Sequence, residues 1–257
     1  MSTKIGINGF GRTGRQLLRA IQQDYRGKLE VVGINNRRVA AEDYAHLFKH
    51  DTTYGAYQGE VESTSDSIIV DGSTIRMLSA SDIADLPWGD LGAEIVVDSS
   101  GVYTDAQQAA GHLEGGAKKV IITAPAKNED VTVVLGVNEK DYNPDRHNVI
   151  SGSSCTTGCI ATMAKVLHDN FKIEHAFMTT VHSYTGDQKL LDGWHRDRRR
   201  HPRGALAGSW RSSTGARRPP TSSRNWWPVV WMKAPATTIP CMPRSPTCRA
   251  IARTPTA

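Results

Sequence analysis

Cys155 and His182 are the side chains whose types and settings point to covalent chemistry. Cys155 stands in Ser151-Gly-Ser-Ser-Cys-Thr-Thr-Gly-Cys159, a run of small residues after the short apolar stretch Asn148-Val-Ile150. Apolar residues at Ile160, Met163, Ala164, Leu167 and Phe171 repeat with the spacing of one buried helix face, so the thiol is expected at a helix start. Backbone N–H groups at a helix start favour an anion, and so a thiolate. His182 lies in the β-prone run Thr179-Thr-Val-His-Ser-Tyr-Thr185, 27 residues further on. A thiol and an imidazole far apart in sequence can form a nucleophile and its base, if the fold brings them together. A lone cysteine near a helix start is more often buried and inert, so the elements around it have to decide.

Those elements alternate. Residues 4–8 read as a short apolar strand, and Gly9-Phe-Gly11-Arg-Thr-Gly14 follows it. Residues 15–23 read as a helix with Leu17, Leu18 and Ile21 inward, and residues 29–34 as the next strand. GxGxxG placed between a strand and a helix, with a second strand in step, is the pattern of a dinucleotide-binding βαβ unit. The glycines permit a tight turn and let backbone N–H groups meet a pyrophosphate. The plainer alternative is a glycine turn that binds nothing. Further strands are expected at 68–70 and 74–78, joined through Asp71-Gly72, a hairpin signal. More follow at 94–98, 119–123 and 131–135, with a helix over 104–113. The fold class predicted is α/β: a Rossmann-type, mostly parallel sheet with helices on both faces, followed by an incomplete α+β catalytic domain. The domains expected are 1–150 for the dinucleotide, 151–215 for the start of the substrate domain, and 216–257 as an irregular basic tail.

Composition narrows the class further. The chain has 257 residues and a net charge of +5, but the charge is divided unevenly. Residues 1–192 carry 18 Lys/Arg against 25 Asp/Glu, whereas residues 193–257 carry 13 against the single Asp197. The second stretch also holds nine of the twelve prolines and five of the six tryptophans, which marks a region of different character. The sequence contains neither an apolar run long enough to span a membrane nor a signal-peptide pattern. Four cysteines (155, 159, 241 and 248) make no disulfide scaffold, and the CxxxC pair has no matching partner for zinc. A cytoplasmic setting, no metal and no membrane partner are therefore expected.

INGFGRTGR (7–15), AHLFKHDTTYG (45–55), SSGVYT (99–104), GAKKVIITAPAKNEDVTVVLGVN (116–138), SCTTGC (154–159) and MTTVHSYTGDQKLLD (178–192) occur in this order. On these motifs the chain, up to about residue 200, resembles the phosphorylating glyceraldehyde-3-phosphate dehydrogenases. The resemblance implies that Cys155 attacks the substrate aldehyde and that His182 lowers the thiol pKa and acts as base. Hydride then passes to the nicotinamide of NAD or NADP, leaving a thioester that inorganic phosphate cleaves to 1,3-bisphosphoglycerate. It also implies that Ser154, Thr156, Thr185, Arg200, Thr214 and Gly215 hold phosphate groups. Gly9, Gly11, Arg12, Thr13, Gly14 and Asn36 would bind the cofactor, with Thr123 beside its nicotinamide. The partners implied are a small phosphorylated aldehyde, inorganic phosphate and further copies of the chain in a homotetramer, without nucleic acid.

The sequence departs from the family pattern in several places. Asn36 stands where the family usually has an acid that holds the adenosine ribose; with Arg37 and Arg38 beside it, a 2′-phosphate would not be repelled, so NADP is expected to bind as well as NAD. Gly152 and Gly158 replace asparagines, and Ser81 replaces an arginine on the adenine side. Beyond Arg200 the family pattern fades except for Ser213-Thr214-Gly215. From 216 onward neither helix nor strand periodicity is expected. The Arg/Pro/Trp/Thr bias there reads as a GC-rich gene in a shifted frame, which would impair stability and activity. The rival is a basic tail that binds nucleic acid on a non-catalytic cofactor-binding protein. Within the enzyme class, erythrose-4-phosphate dehydrogenase is the alternative.

Overall fold

The structure, a computed structural model, describes residues 2–37 and 40–183 together with the strand Val229–Lys233. Contacts divide the chain into two bodies, Met1–Thr162 and Met163–Ala257. The first opens with β1 (Thr3–Asn8), α1 (Arg12–Asp24), β2 (Leu29–Asn35) and α2 (Ala41–Lys49). The short pair β3 (His50–Asp51) and β4 (Gly55–Ala56) follows, then β5 (Val61–Ser63), β6 (Ser67–Val70) and β7 (Ser73–Leu78). Next come β8 (Ile95–Asp98), the one-turn helices α3 (Ala106–Ala109) and α4 (Gly111–Glu114), β9 (Lys119–Ile122), β10 (Val131–Thr132) and β11 (Val149–Ser151). The longest of the described helices, α5 (Cys155–Phe171), begins in the first body, and β12 (His175–Thr179) and β13 (Val229–Lys233) belong to the second.

Nine strands of the first body form one sheet in the order β10-β11-β9-β8-β1-β2-β7-β6-β5. Pairing is parallel from β10 through β7 and antiparallel in β7-β6-β5, where Asp71-Gly72 makes the expected hairpin with both residues at positive φ. Alternating side chains divide the core between the two faces. Ile5, Ile7, Ile34 and Val97 point to one face, where Leu18 and Ile21 of α1 and Tyr44 and Phe48 of α2 cover them. Val96 and Val120, paired in register, point to the other; Trp88 packs on Val96, and Ala106 and Ala109 of α3 pack on Val120. Gly6 and Gly33 face each other in register, and a Cβ on Gly6 would come within 2.6 Å of the Trp88 ring. The two glycines thin the sheet where the indole lies.

Several expectations are corrected. The helix over 104–113 is two short helices, since Gly111 starts the second after Ala110. The strand over 131–135 stops at Thr132, because the Asn138 side chain takes the Thr132 carbonyl and the Val134 N–H. The tail, expected to lack strand character, supplies β13, which pairs antiparallel with β12 from His175–Lys233 to Thr179–Val229. Its Val-Val-Trp-Met-Lys run does not alternate apolar with polar, so no period of two was visible. α5 forms over the expected residues, but none of its described side chains is buried. Apolar spacing tells which face needs cover and does not supply the cover.

A glycine turn, a buried polar wire and a capped thiol helix

The turn after β1 runs straight into α1, which starts at Arg12 rather than at residue 15. Gly9 sits at φ +91°, and a Cβ there would meet the Ser100 backbone at 2.6 Å. A Cβ on Gly14 would meet the Gly9 carbonyl oxygen at 2.3 Å, so the helix packs on the turn only because residue 14 has no side chain. Gly11 differs: among the described residues nothing lies within 4 Å of a Cβ built there. It caps α1 without a side-chain hydrogen bond, and the first helical turn carries no acid. Gly11, Arg12 and Thr13 are all exposed. This is an open helix N-terminus with the backbone clear for a phosphate to approach. The Arg12 side chain reaches the 50–56 segment, with Nη1 3.5 Å from Asp51 and 3.4 Å from the Thr53 hydroxyl.

The turn lies at the carboxyl ends of parallel strands, beside the point where strand order reverses between β1 and β8. Ser99 closes that crevice, its hydroxyl donating to the Gly9 carbonyl at 2.6 Å. At the end of β2, the Asn36 side-chain oxygen accepts the Phe10 N–H at 3.0 Å, which leaves its NH2 group for other acceptors. Arg37 donates to the Ser81 carbonyl, which holds a guanidinium beside Ser81. Thr123 follows β9 and donates its N–H to the Asp98 carbonyl at 2.9 Å.

Sequence reasoning missed the polar groups beneath the turn. Asn8, Asn35 and Asp98 are each the last residue of an apolar strand, and each is buried. Their recurrence at strand ends was the available signal. Asn8 donates to Asp98 at 2.8 Å, and Asn35 donates to the Asn8 side-chain oxygen at 2.8 Å. Burial pushes the Asp98 carboxyl up, but hydrogen bonds from His112, Ser100 and Asn8 outweigh it and hold it below the usual carboxylate range. The Asn35 oxygen is buried and has no donor among the described residues, an acceptor left for a ligand group. Together the open helix start, the clear space at Gly11 and this acceptor fit a dinucleotide.

Cys155 is the first residue of α5, which has 17 residues, and is exposed. Ser151 precedes it at the end of β11, its hydroxyl tied to the Ala124 carbonyl at 2.9 Å and accepting the Ser153 N–H at 3.1 Å. Ser153 turns the chain at φ +65°, and Ser154 caps the helix. Thr156 Oγ1 is 4.0 Å from the Cys155 sulfur. His182 belongs to the second body, where Nδ1–H donates to the Ser183 carbonyl at 2.5 Å. Thr185, Arg200, Thr214 and Gly215 lie outside the described residues, as do Arg38 and the rest of the tail apart from β13. Among the described residues no cluster of metal-ligating side chains occurs, and no helix is long and apolar enough to cross a membrane.

Known proteins share both halves of this arrangement. Residues 3–106 match the family model described as glyceraldehyde 3-phosphate dehydrogenase, NAD binding domain. Residues 154–218 match the glyceraldehyde 3-phosphate dehydrogenase, C-terminal domain. The glyceraldehyde-3-phosphate dehydrogenase of Streptomyces coelicolor is 50% identical over 216 residues, covering 84% of this chain and 63% of that protein. Glyceraldehyde-3-phosphate dehydrogenase 1 of Bacillus cereus is 49% identical over 214 residues, covering 83% and 63%. That of Geobacillus stearothermophilus is 48% identical over 216 residues, covering 84% and 63%. The chain thus spans less than two thirds of the length of these relatives. With the turn, the thiol segment and both domain models matched in order, the chain belongs to the glyceraldehyde-3-phosphate dehydrogenase family.

Proposed function

We propose that the chain is an NAD(P)-dependent phosphorylating dehydrogenase that oxidises glyceraldehyde 3-phosphate to 1,3-bisphosphoglycerate. The observation that carries this reading is that one body holds both an open dinucleotide turn and Cys155 at the start of a long helix. Gly9, Gly11 and Gly14 shape the turn, the N–H groups of Arg12 and Thr13 face the pyrophosphate, and Asn36 takes the ribose. Thr123 borders the nicotinamide, and the bound cofactor supplies the hydride acceptor. Cys155 is the nucleophile, favoured as thiolate by its helix start. His182 removes the proton of the substrate adduct. Ser154, Thr156, Thr185, Arg200, Thr214 and Gly215 hold the substrate phosphate and the attacking phosphate.

The same reading divides the chain at 1–150, 151–215 and 216–257, and takes the protein as a cytoplasmic homotetramer. The test is phosphate-dependent reduction of NAD with glyceraldehyde 3-phosphate as substrate. Activity should vanish in Cys155→Ser and fall steeply in His182→Asn. Reduction that needs no phosphate, or that survives Cys155→Ser, would refute it.

A further inference from the structure

Trp88, His112 and Asp98 form a buried line of hydrogen bonds whose direction is determined throughout. An indole N–H only donates, so the Trp88 bond of 3.0 Å makes His112 Nδ1 an acceptor. The neutral ring then carries its proton on Nε2 and donates to Asp98 Oδ2 at 3.1 Å. Asp98 Oδ2 also accepts from Asn8, while Oδ1 accepts the Ser100 N–H at 2.9 Å and the Ser100 hydroxyl at 2.7 Å. Four donors converge on one carboxylate, and both the His112 and Asp98 side chains are no more than 1% exposed. A buried donor deprived of its acceptor is costly, so no member can turn away without disturbing the next.

The line ends on the glycine turn. Asp98 holds Ser100, and the Ser99–Ser100 backbone lies where any side chain on Gly9 would collide with it. We propose that His112 and Asp98 are positioning residues for dinucleotide binding: they fix the segment 99–101 against Gly9 and thereby the N-terminus of α1. This rests on the reading of the 9–14 turn as the cofactor cradle. The imidazole serves as a spacer that accepts on one nitrogen and donates on the other, and it touches no ligand. Trp88, seated against Gly6, anchors the far end to the sheet.

The test uses the full chain with His112→Leu, which removes both bonds, and His112→Gln, whose amide can accept from Trp88 and donate to Asp98. NAD affinity, by calorimetric titration, should fall about tenfold in His112→Leu and recover to within about threefold in His112→Gln. Tyr57→Phe, which loses a hydrogen bond to Asp71 away from the turn, should bind NAD like the unmodified chain. Amide exchange over residues 9–14 and 99–101 should quicken about tenfold in His112→Leu, and in His112→Gln should stay near that of the unmodified chain. If His112→Leu does not fold, Ser100→Ala takes its place and should weaken NAD binding by about threefold with faster exchange at the turn. Unchanged exchange at the turn in the folded variant, or a glutamine variant as weak as the leucine one, would overturn the proposal. Absence of NAD binding by the unmodified chain, with the exchange pattern as expected, would instead overturn the cofactor reading alone.

Discussion

The Ser154 hydroxyl accepts the Thr157 backbone N–H at 2.9 Å and shares a second hydrogen bond with the Thr157 hydroxyl at 2.7 Å. The residue before Cys155 is therefore the cap of the thiol's own helix. Ser154→Ala should cost about 1 kcal/mol of stability, the usual cost of a lost cap. It should also slow alkylation of Cys155 by iodoacetamide, because a frayed first turn weakens the helix-start field that favours a thiolate. Ser154→Asp should restore stability without restoring reactivity, since it caps the helix but adds a charge that repels a thiolate. Urea titration and timed labelling read the two effects separately.

Gly11 and Gly14 should respond to alanine in different ways. Gly14→Ala drives a methyl against the Gly9 carbonyl and should destabilise the chain by roughly 1–3 kcal/mol, the range for overpacking. Gly11→Ala meets no described atom and should cost only the difference between glycine and alanine at a helix cap, about 0.5–1 kcal/mol. It should nevertheless weaken NAD binding, because the methyl occupies the space a pyrophosphate needs. Thermal unfolding beside NAD titration decides.

Asn36→Asp should shift preference from NADP toward NAD. One carboxylate oxygen would keep the Phe10 N–H, and the other would face the ribose hydroxyls as an acceptor. Repulsion of a 2′-phosphate should cost NADP at least about tenfold, or about 1.4 kcal/mol. Parallel titrations of the two dinucleotides check it. An unmodified chain that already rejects NADP would contradict the charge argument.

Acid should weaken the fold partly through Asp98. Its carboxyl is held below the usual range in the folded chain, so its contribution is present above the unfolded value of about 4 and is lost as pH falls through the folded value. Asp98→Asn should be less stable at neutral pH, and the gap to the unmodified chain should narrow as the pH drops. Tyr57 gives the alkaline counterpart. Burial, with the hydrogen bond to Asp71, raises it to about 12, so its stabilisation is present below about 10 and fades as pH rises toward 12. Tyr57→Phe should remove that slope. Urea midpoints across pH measure both.

The sequence by itself determined the local geometry. Gly9, Gly11 and Gly14 between two apolar runs specified a strand, a turn and a helix, because backbone freedom and apolar spacing act within a few residues. The small-residue run before Cys155 likewise specified a helix start, which Ser154 caps. Tertiary structure alone decided what lies under the turn. His112 meets Asp98 from 14 residues away and Trp88 from 24, and Asn8 meets Asp98 across 90. Asn8 meets Asp98 because β8 returns to lie beside β1, and His112 reaches Asp98 from α4; both follow from how the sheet and its covering segments pack and not from any spacing in the chain. In the same way the pairing of β2 with β7 brings the Arg37 guanidinium to Ser81, 44 residues on. On α5 the apolar stripe was legible, but a stripe records which side chains avoid water, and burial needs a second surface that only the assembled fold provides.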